Sequence, residues 1–343
     1  MKALKLVAPG KMEVQEVEMP HPGAGDVLIK VAYAGICGTD LHAYMGQYSR
    51  TKFPVVLGHE LSGVITEVGE GVTKFKVGDR VTCESTYKSC GTCRFCRKND
   101  LNLCGNRIGI GTNKDGAFEE YMTMAEDRVW KLPDNVSLRS GAISEPLACG
   151  THAIMEVADV QPGEIVCVFG AGAIGLMVAQ VAVAVGATVI LAGLTIDEPR
   201  FALAKEMGVQ YTVDQLKESL DDLVKELTEG YGCDVVVECS GAVPALKKSF
   251  NIVKKQGKVV QMGLYKDPEV PVPGEKIVQN EIIYLGSRSQ KPSSWAKAME
   301  LFATGKINPE KAVTMEVEVE NWQEAFDTPP SGKKFIKFDD FGE

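Results

Sequence analysis

No apolar run in this 343-residue chain is long enough to cross a bilayer; the longest, Leu176–Val185, is broken by Gln180. A leader core is missing too. Met1-Lys-Ala-Leu-Lys-Leu-Val runs into Ala8-Pro-Gly before an apolar signal segment forms, so a cytoplasmic location is expected. Basic excess is absent: 37 basic against 46 acidic residues give a net charge of −9, which argues against nucleic acid or an anionic membrane as partner. There is no internal repeat and no low-complexity segment. Histidine is scarce, four in all, so the position of each is informative. What remains, 45% hydrophobic and 24% charged, is ordinary for a globular protein. The length suggests two domains, because single cores rarely grow past ~250–300 residues.

Cysteine is the residue that is not scarce. Cys90, Cys93, Cys96 and Cys104 form a C-x2-C-x2-C-x7-C run in a polar loop with no core of its own. Thiolates so spaced converge on one tetrahedral Zn²⁺, each sulfur about 2.3 Å away. A disulfide framework is the competing reading; the expected reducing compartment and the two-residue spacings disfavour it. Four thiolates leave no open position, so this zinc is structural, and it holds the loop together. Cys83, Cys149, Cys167, Cys233 and Cys239 lie in apolar or strand-like settings and read as core.

Residues 1 to about 85 alternate in short runs, such as Asp26-Val-Leu-Ile-Lys-Val-Ala, between glycine turns, the pattern of a twisted antiparallel β domain. From Gly163 strand and helix alternate. Strands are expected at Glu164–Phe169, Thr188–Ala192, Asp234–Glu238, Lys258–Met262 and Ile282–Leu285. Helices are expected up to Val185, near Arg200–Met207, near Leu216–Leu227 and after Pro244. That is a parallel, doubly wound α/β sheet of the Rossmann type. After Gly286 come a helix at Trp295–Ala303, a strand near Met315–Val319 and an alternating tail at Lys334–Phe338, expected to return to the first domain. The domains expected are therefore 1–150 with 288–343, discontinuous and zinc-binding, and 151–287, dinucleotide-binding.

Gly170-Ala-Gly-Ala-Ile-Gly175 follows an apolar strand and opens a helix, so its N–H groups face a pyrophosphate. Gly170, Gly172, Ala173, Ile174 and Gly175 are the candidate contacts. The acid that usually holds the ribose 2′-OH is missing where the second strand ends, at Gly193, Leu194 and Thr195. Thr195 or Arg200 is a candidate for a 2′-phosphate, Asp197 for the ribose hydroxyls or merely for capping the next helix. NAD and NADP both stay open.

Three histidines fall near other polar groups: Gly35-Ile-Cys37-Gly-Thr39-Asp-Leu-His42, Gly58-His59-Glu60 and Ser144-Glu145-Pro-Leu-Ala-Cys-Gly-Thr-His152. Cys37, His59, Glu60 and Glu145 supply S, N and O donors suited to a catalytic Zn²⁺ with an open position. His21 reads as an ordinary surface residue. With the cysteine lobe and the glycine loop, these motifs resemble the zinc-dependent medium-chain dehydrogenases over nearly the whole chain, and most closely their polyol branch. Glu145-Pro-Leu carries that placement, since liver-type alcohol dehydrogenases have a zinc-ligating cysteine there. Gly286-Ser-Arg288-Ser-Gln-Lys-Pro-Ser-Ser-Trp295 is similar to a segment of bacterial polyol dehydrogenases.

The resemblance implies a GroES-like β-rich catalytic domain joined to the Rossmann domain, with a catalytic zinc on Cys37, His59 and Glu60. Glu145 would stand beside the metal's water or exchange with it as ligand. Thr39 would take the substrate hydroxyl proton and pass it toward His42, with Asp40 orienting a ligand or fixing the loop. His152 lies near the cofactor in the family; a plain helix-surface residue is the other reading. Arg288 is grouped with the cofactor and substrate contacts, against a surface or interface arginine. Hydride would pass from a secondary hydroxyl of a sugar alcohol to NAD or NADP. L-Threonine 3-dehydrogenases share nearly the same zinc motifs. A non-catalytic dinucleotide sensor is expected to have lost these ligands, and here all are present. The family implies a homodimer or homotetramer. Two departures stand out: animal sorbitol dehydrogenases have an aromatic residue where this chain has Ala43, and they lack the four-cysteine lobe.

Overall fold

Hydrophobic alternation in the first part of the chain builds antiparallel sheet. A computed structural model describes residues 1–329 and 331–342. Its N-terminal strands are β1 (Lys2–Ala8), β2 (Lys11–Glu16), β3 (Asp26–Gly35), β4 (Val55–Val56), β5 (Glu60–Val68), β6 (Arg80–Cys83), β7 (Thr86–Lys88), β8 (Ile108–Gly109), β9 (Tyr121–Ala125) and β10 (Val129–Lys131). β3 is the organising strand: β5 pairs along one edge, while on the other β9 takes Asp26–Lys30. Its apolar residues Val27, Ile29, Val31 and Ala34 are buried in a core shared with Leu4, Leu61, Phe118 and Ile336. α1 (Gly38–Tyr44) lies between β3 and β4, and α2 (Leu138–Gly141) and α3 (Ser144–Thr151) follow β10.

The middle of the chain is a parallel sheet of β11 (Ile165–Phe169), β12 (Thr188–Gly193), β13 (Tyr211–Asp214), β14 (Cys233–Glu238), β15 (Val253–Gln261) and β16 (Ile283–Gly286). Helices α4 (Ala173–Ala184), α5 (Glu198–Glu206), α6 (Leu220–Leu227), α7 (Val243–Ile252) and α8 (Gly274–Gln279) connect them. The strand order β13-β12-β11-β14-β15-β16 is the doubly wound order, with its switch point between β11 and β14. β11 and β14 are near-continuous runs of buried valines and cysteines, as a strand covered on both faces requires.

The chain ends with α9 (Pro292–Ala303), β17 (Val313–Glu318), α10 (Trp322–Asp327) and β18 (Lys333–Lys337). β18 pairs with the free end of β3, Phe335 against Gly35, and β17 lies parallel beside β18. By contacts the chain divides into Met1–Glu145 with Lys291–Gly305 and Val313–Glu343, and Pro146–Gln290 with Lys306–Ala312. No helix is long and apolar enough to cross a membrane among the described residues.

Several elements differ from the sequence expectation. β13 was not expected, because Tyr-Thr-Val-Asp is too short to show a period. α6 begins at Leu220 rather than near Leu216, because the Ser219 hydroxyl accepts the Asp222 N–H and sets the start there. Cys239, read as core, is partly exposed, while Cys83, Cys149, Cys167 and Cys233 are buried. His152 is neither on a helix surface nor free: it is buried at the start of a π-helical turn, with Nδ1 2.9 Å from Glu156 Oε2.

Candidate metal and dinucleotide sites

The ends of β3 and β5 and the start of α1 bring three donors together. Cys37 precedes α1, His59 and Glu60 lead into β5, and their ligand atoms all lie within 4.8 Å of one another. Asp40 in the first turn of α1 fixes the arrangement. One oxygen accepts the Cys37 N–H at 2.8 Å, the other the Gly58 N–H at 3.2 Å. His59 turns Nδ1 toward Asp40 at 3.7 Å, leaving Nε2 for a metal. Burial opposes the imidazolium, but the charges of Asp40 and Cys37 outweigh it and raise His59 well above its ordinary pKa. Thr39 Oγ1 lies 3.7 Å from the Cys37 sulfur. His42 is on the exposed side of α1, Nδ1 3.1 Å from Gln47 Oε1.

Glu145 lies in the first turn of α3 and is buried. Burial pushes its carboxyl up; the fields of His59 and Lys333 oppose that and Glu60 adds to it. Lys333 is the residue that sequence reasoning missed. Its ammonium pairs with Glu60 and donates to the Ile36 carbonyl at 3.0 Å. Burial alone would lower its pKa, but Glu60, Cys37 and Glu145 raise it. Sulfur, imidazole and carboxylate donors this close fit a zinc ion with a position to spare.

The four cysteines of the lobe also converge, with Cys90, Cys93, Cys96 and Cys104 sulfurs all within 4.8 Å. Cys90 is 3.8 Å from Cys96 and 3.6 Å from Cys104, and Cys93 is 3.5 Å from Cys96. Thiolates about 2.3 Å from one tetrahedral zinc stand about 3.8 Å apart, so the donor geometry fits the ion. The N–H groups of Cys93 and Thr92 aim at the Cys90 sulfur and pull its thiol down to about 6. The Ser89 hydroxyl lowers Cys96, while burial raises Cys104. Asp100 ties the lobe to Lys291 at the head of α9, 3.2 Å away.

In the parallel sheet the glycine loop lies between β11 and α4, at the switch point. Gly170 has φ +93°, and a Cβ there would stand 2.9 Å from Ser240. A Cβ on Gly175 would strike the Gly170 carbonyl, whereas one on Gly172, the N-cap of α4, would meet open space. Tight turn, close packing and an open approach at the head of a twelve-residue helix are what a pyrophosphate needs. Ala173 and Ile174 form the first turn of α4. Past β12, Asp197 stands at the N-cap of α5, but its carboxylate makes no cap bond; it accepts the Leu194 N–H at 3.0 Å and pairs with Arg200. The Thr195 hydroxyl donates to Asp214 at 2.6 Å. Arg288 is exposed on the segment after β16. Glu238, at the end of β14, was also missed: it accepts from Ser240, Gly241, Gln261 and Tyr265 and orders the loop beside Gly170. A charge closing the apolar run Asp234-Val-Val-Val-Glu238 was the available signal.

A β-rich unit with an S, N, O donor cluster and a four-thiolate lobe, together with a dinucleotide-type glycine loop, defines a class: metal-dependent nicotinamide oxidoreductases. Residues 23–134 match the alcohol dehydrogenase GroES-like domain and residues 173–304 the zinc-binding dehydrogenase domain. The chain is 47% identical over 324 residues to a sorbitol dehydrogenase of Halalkalibacterium halodurans, covering 94% of each. It is 44% identical over 336 residues to a D-arabitol-phosphate dehydrogenase of Enterococcus avium, covering 97% of this chain and 96% of that one. A zinc-binding dehydrogenase of Sinorhizobium meliloti, solved with NADP bound, superposes with a TM-score of 0.90 at 32% identity, covering 98% and 99% of the two chains. The chain belongs to the zinc-dependent alcohol dehydrogenase family, and is an oxidoreductase that works with zinc and a nicotinamide dinucleotide.

Proposed function

We propose that this protein oxidises a secondary hydroxyl of a sugar alcohol, or of its phosphate ester, to the ketose. The observation that carries this is the buried donor set Cys37, His59 and Glu60 with Glu145, not a cysteine, as the next acidic group. Relatives named for sorbitol and D-arabitol phosphate supply the substrate class.

Cys37, His59 and Glu60 would hold a zinc that would supply Lewis acidity toward the alcohol, and the Gly170–Gly175 loop would hold the NAD(P) that would supply the hydride acceptor. Thr39 Oγ1, 3.7 Å from the Cys37 sulfur, takes the hydroxyl proton as the carbon gives up its hydride. His42, exposed at the other side of α1, releases that proton to water. Because Gln47 Oε1 accepts from Nδ1, Nε2 is left free to receive it. The glycine loop holds the pyrophosphate with its N–H groups. Thr195, Asp197 and Arg200 border the adenosine ribose, and Arg288 contacts the substrate or cofactor.

The lobe of Cys90, Cys93, Cys96 and Cys104 keeps a structural zinc. All ten cysteines are unbridged, which suits a reducing cytoplasm. The catalytic domain is assigned to 1–150 with 288–343 and the dinucleotide domain to 151–287. Edge strand β16 exposes Ile283 and Tyr284 beside unpaired backbone groups, and we read it as the contact between two copies in a dimer or tetramer.

The test is the rise of reduced-cofactor absorbance with NAD⁺ and NADP⁺ in turn, against sorbitol, xylitol, L-iditol, galactitol, D-arabitol phosphate, a simple secondary alcohol and L-threonine. Turnover of a polyol or polyol phosphate supports the reading. Turnover of L-threonine alone replaces it with an amino-acid dehydrogenase, and silence of the zinc-loaded protein across the panel rejects it.

A further inference from the structure

Glu60 has two claims on its carboxylate. One of its carboxylate oxygens lies within 4.8 Å of the Cys37 and His59 ligand atoms, and Oε2 pairs with the Lys333 ammonium. The lysine side chain is 3% exposed and the glutamate 1%, so neither charge is screened by water. Three separate segments are built around the contact. β18 delivers Lys333 through its pairing with the end of β3, β5 delivers Glu60, and β3 supplies Gly35. A Cβ on Gly35 would strike Glu60 Oε2 and come within 2.9 Å of Lys333 Cε, so only glycine leaves room for the pair. The ammonium is further held by the Ile36 carbonyl at 3.0 Å, one residue before Cys37.

The electrostatics give the contact a purpose. Cys37 and Glu60 bring two negative charges to a zinc dication, and Glu145 is a further buried acidic group nearby. Two anionic ligands alone neutralise the ion and weaken its pull on a substrate oxygen. A fixed ammonium behind Glu60 draws carboxylate charge away from the metal and restores a net positive site.

Resting on the zinc dehydrogenase reading above, we propose that Lys333 is a positioning residue for the metal: by holding Glu60 Oε2 it limits Glu60 to one oxygen toward the zinc and keeps a coordination position free for the alcohol. Without it, Glu60 closes on the metal with both oxygens, binding more tightly and leaving less room for substrate.

The experiment compares wild type, Lys333→Met and Lys333→Arg by loss of zinc to a chelator, by the visible absorption of the cobalt-substituted protein, and by kcat and KM. Lys333→Met is expected to lose its non-lobe metal about tenfold more slowly, to show a weaker cobalt band of higher coordination number, and to turn over at least tenfold more slowly. Lys333→Arg, which keeps the charge, is expected to restore the cobalt spectrum and most of the rate. If Lys333→Met does not fold, Lys333→Leu, which likewise removes the ammonium that holds Glu60, is read in its place with the same direction of change. Wild-type metal release and cobalt spectrum in the neutral variant overturn the proposal. A wild type that binds only the lobe metal overturns the parent reading and this proposal together, and that outcome is visible before any variant is made.

Discussion

The Asp40 carboxylate stands 3.7 Å from His59 Nδ1 and is 1% exposed, while its two oxygens accept the Cys37 and Gly58 N–H groups. One side chain therefore orients a metal-binding imidazole and ties together the two segments that carry the ligands. Asp40→Asn keeps the shape but turns an amide N–H toward a backbone N–H, so one of those bonds is lost. We expect it to weaken zinc binding roughly 10–100-fold, the range for partners that orient a ligand. Competition with a chelator measures this. Unchanged affinity would reduce Asp40 to a cap of α1.

The proton path makes a second, separable prediction. His42 is exposed and meets solvent, whereas Thr39 sits against the Cys37 sulfur. His42→Ala should lower kcat/KM about 10²-fold, as loss of a general base does, and a high concentration of imidazole buffer should restore part of it. Thr39→Val should lose at least as much with no recovery in buffer, because small bases cannot replace a hydroxyl packed at the ligand. Equal rescue of both variants would remove Thr39 from the path.

The parts legible in the sequence were those whose chemistry is local. The cysteine lobe declares itself because its donors lie within fifteen residues, and the glycine loop because a strand precedes it and a helix follows. The ligand residue types stood out because histidine is so scarce. What was hidden depends on distant pairing. Lys333 lies in Lys333-Lys-Phe-Ile-Lys, which reads as the polar phase of an edge strand; only the register of β18 on β3 brings it behind Glu60. His152 read either as near the cofactor or as helix surface, because nothing in Thr-His-Ala-Ile shows that Glu156 will meet it in the interior. Asp197 read either as a ribose contact or as a helix cap, yet the turn from Leu194 takes its carboxylate and Arg200 completes the pair. α8 has no apolar period to reveal it, and four of its six residues are exposed.

Removing one lobe sulfur should separate the two metal sites. Cys104 is the most buried of the four, at 4% exposure, and Cys104→Ser leaves three thiolates on a loop with little core. Zinc content should fall from two per chain to one, and the melting temperature by roughly 5 °C, equivalent to a few kcal/mol in a protein this large. Residual activity at low temperature should persist, since the Cys37 cluster is untouched. Loss of both metals in proportion would contradict two independent sites.

A pH-dependent cost is built into the N-terminal sheet at Glu119. Its side chain is 6% exposed, and burial, with the charge of Asp115 adding to it, pushes the carboxyl up to about 8 against the opposing pull of Lys114 and Lys5. An unfolded glutamate titrates at about 4.3. Between these values the folded chain keeps a proton that the unfolded chain has released, so stability falls as pH rises through that window and stops falling above about 8. Glu119→Gln removes the titration while keeping the shape. The variant should match the wild type below pH ~4, where both side chains are neutral, and exceed it by roughly 2 kcal/mol near pH 8, below the full linkage value because a buried carboxylate draws in water. Urea midpoints for both proteins at about pH 4, 6 and 8 decide it. A stability difference that stays constant over that range would mean that Glu119 binds protons equally in the folded and unfolded chain, with no raised pKa.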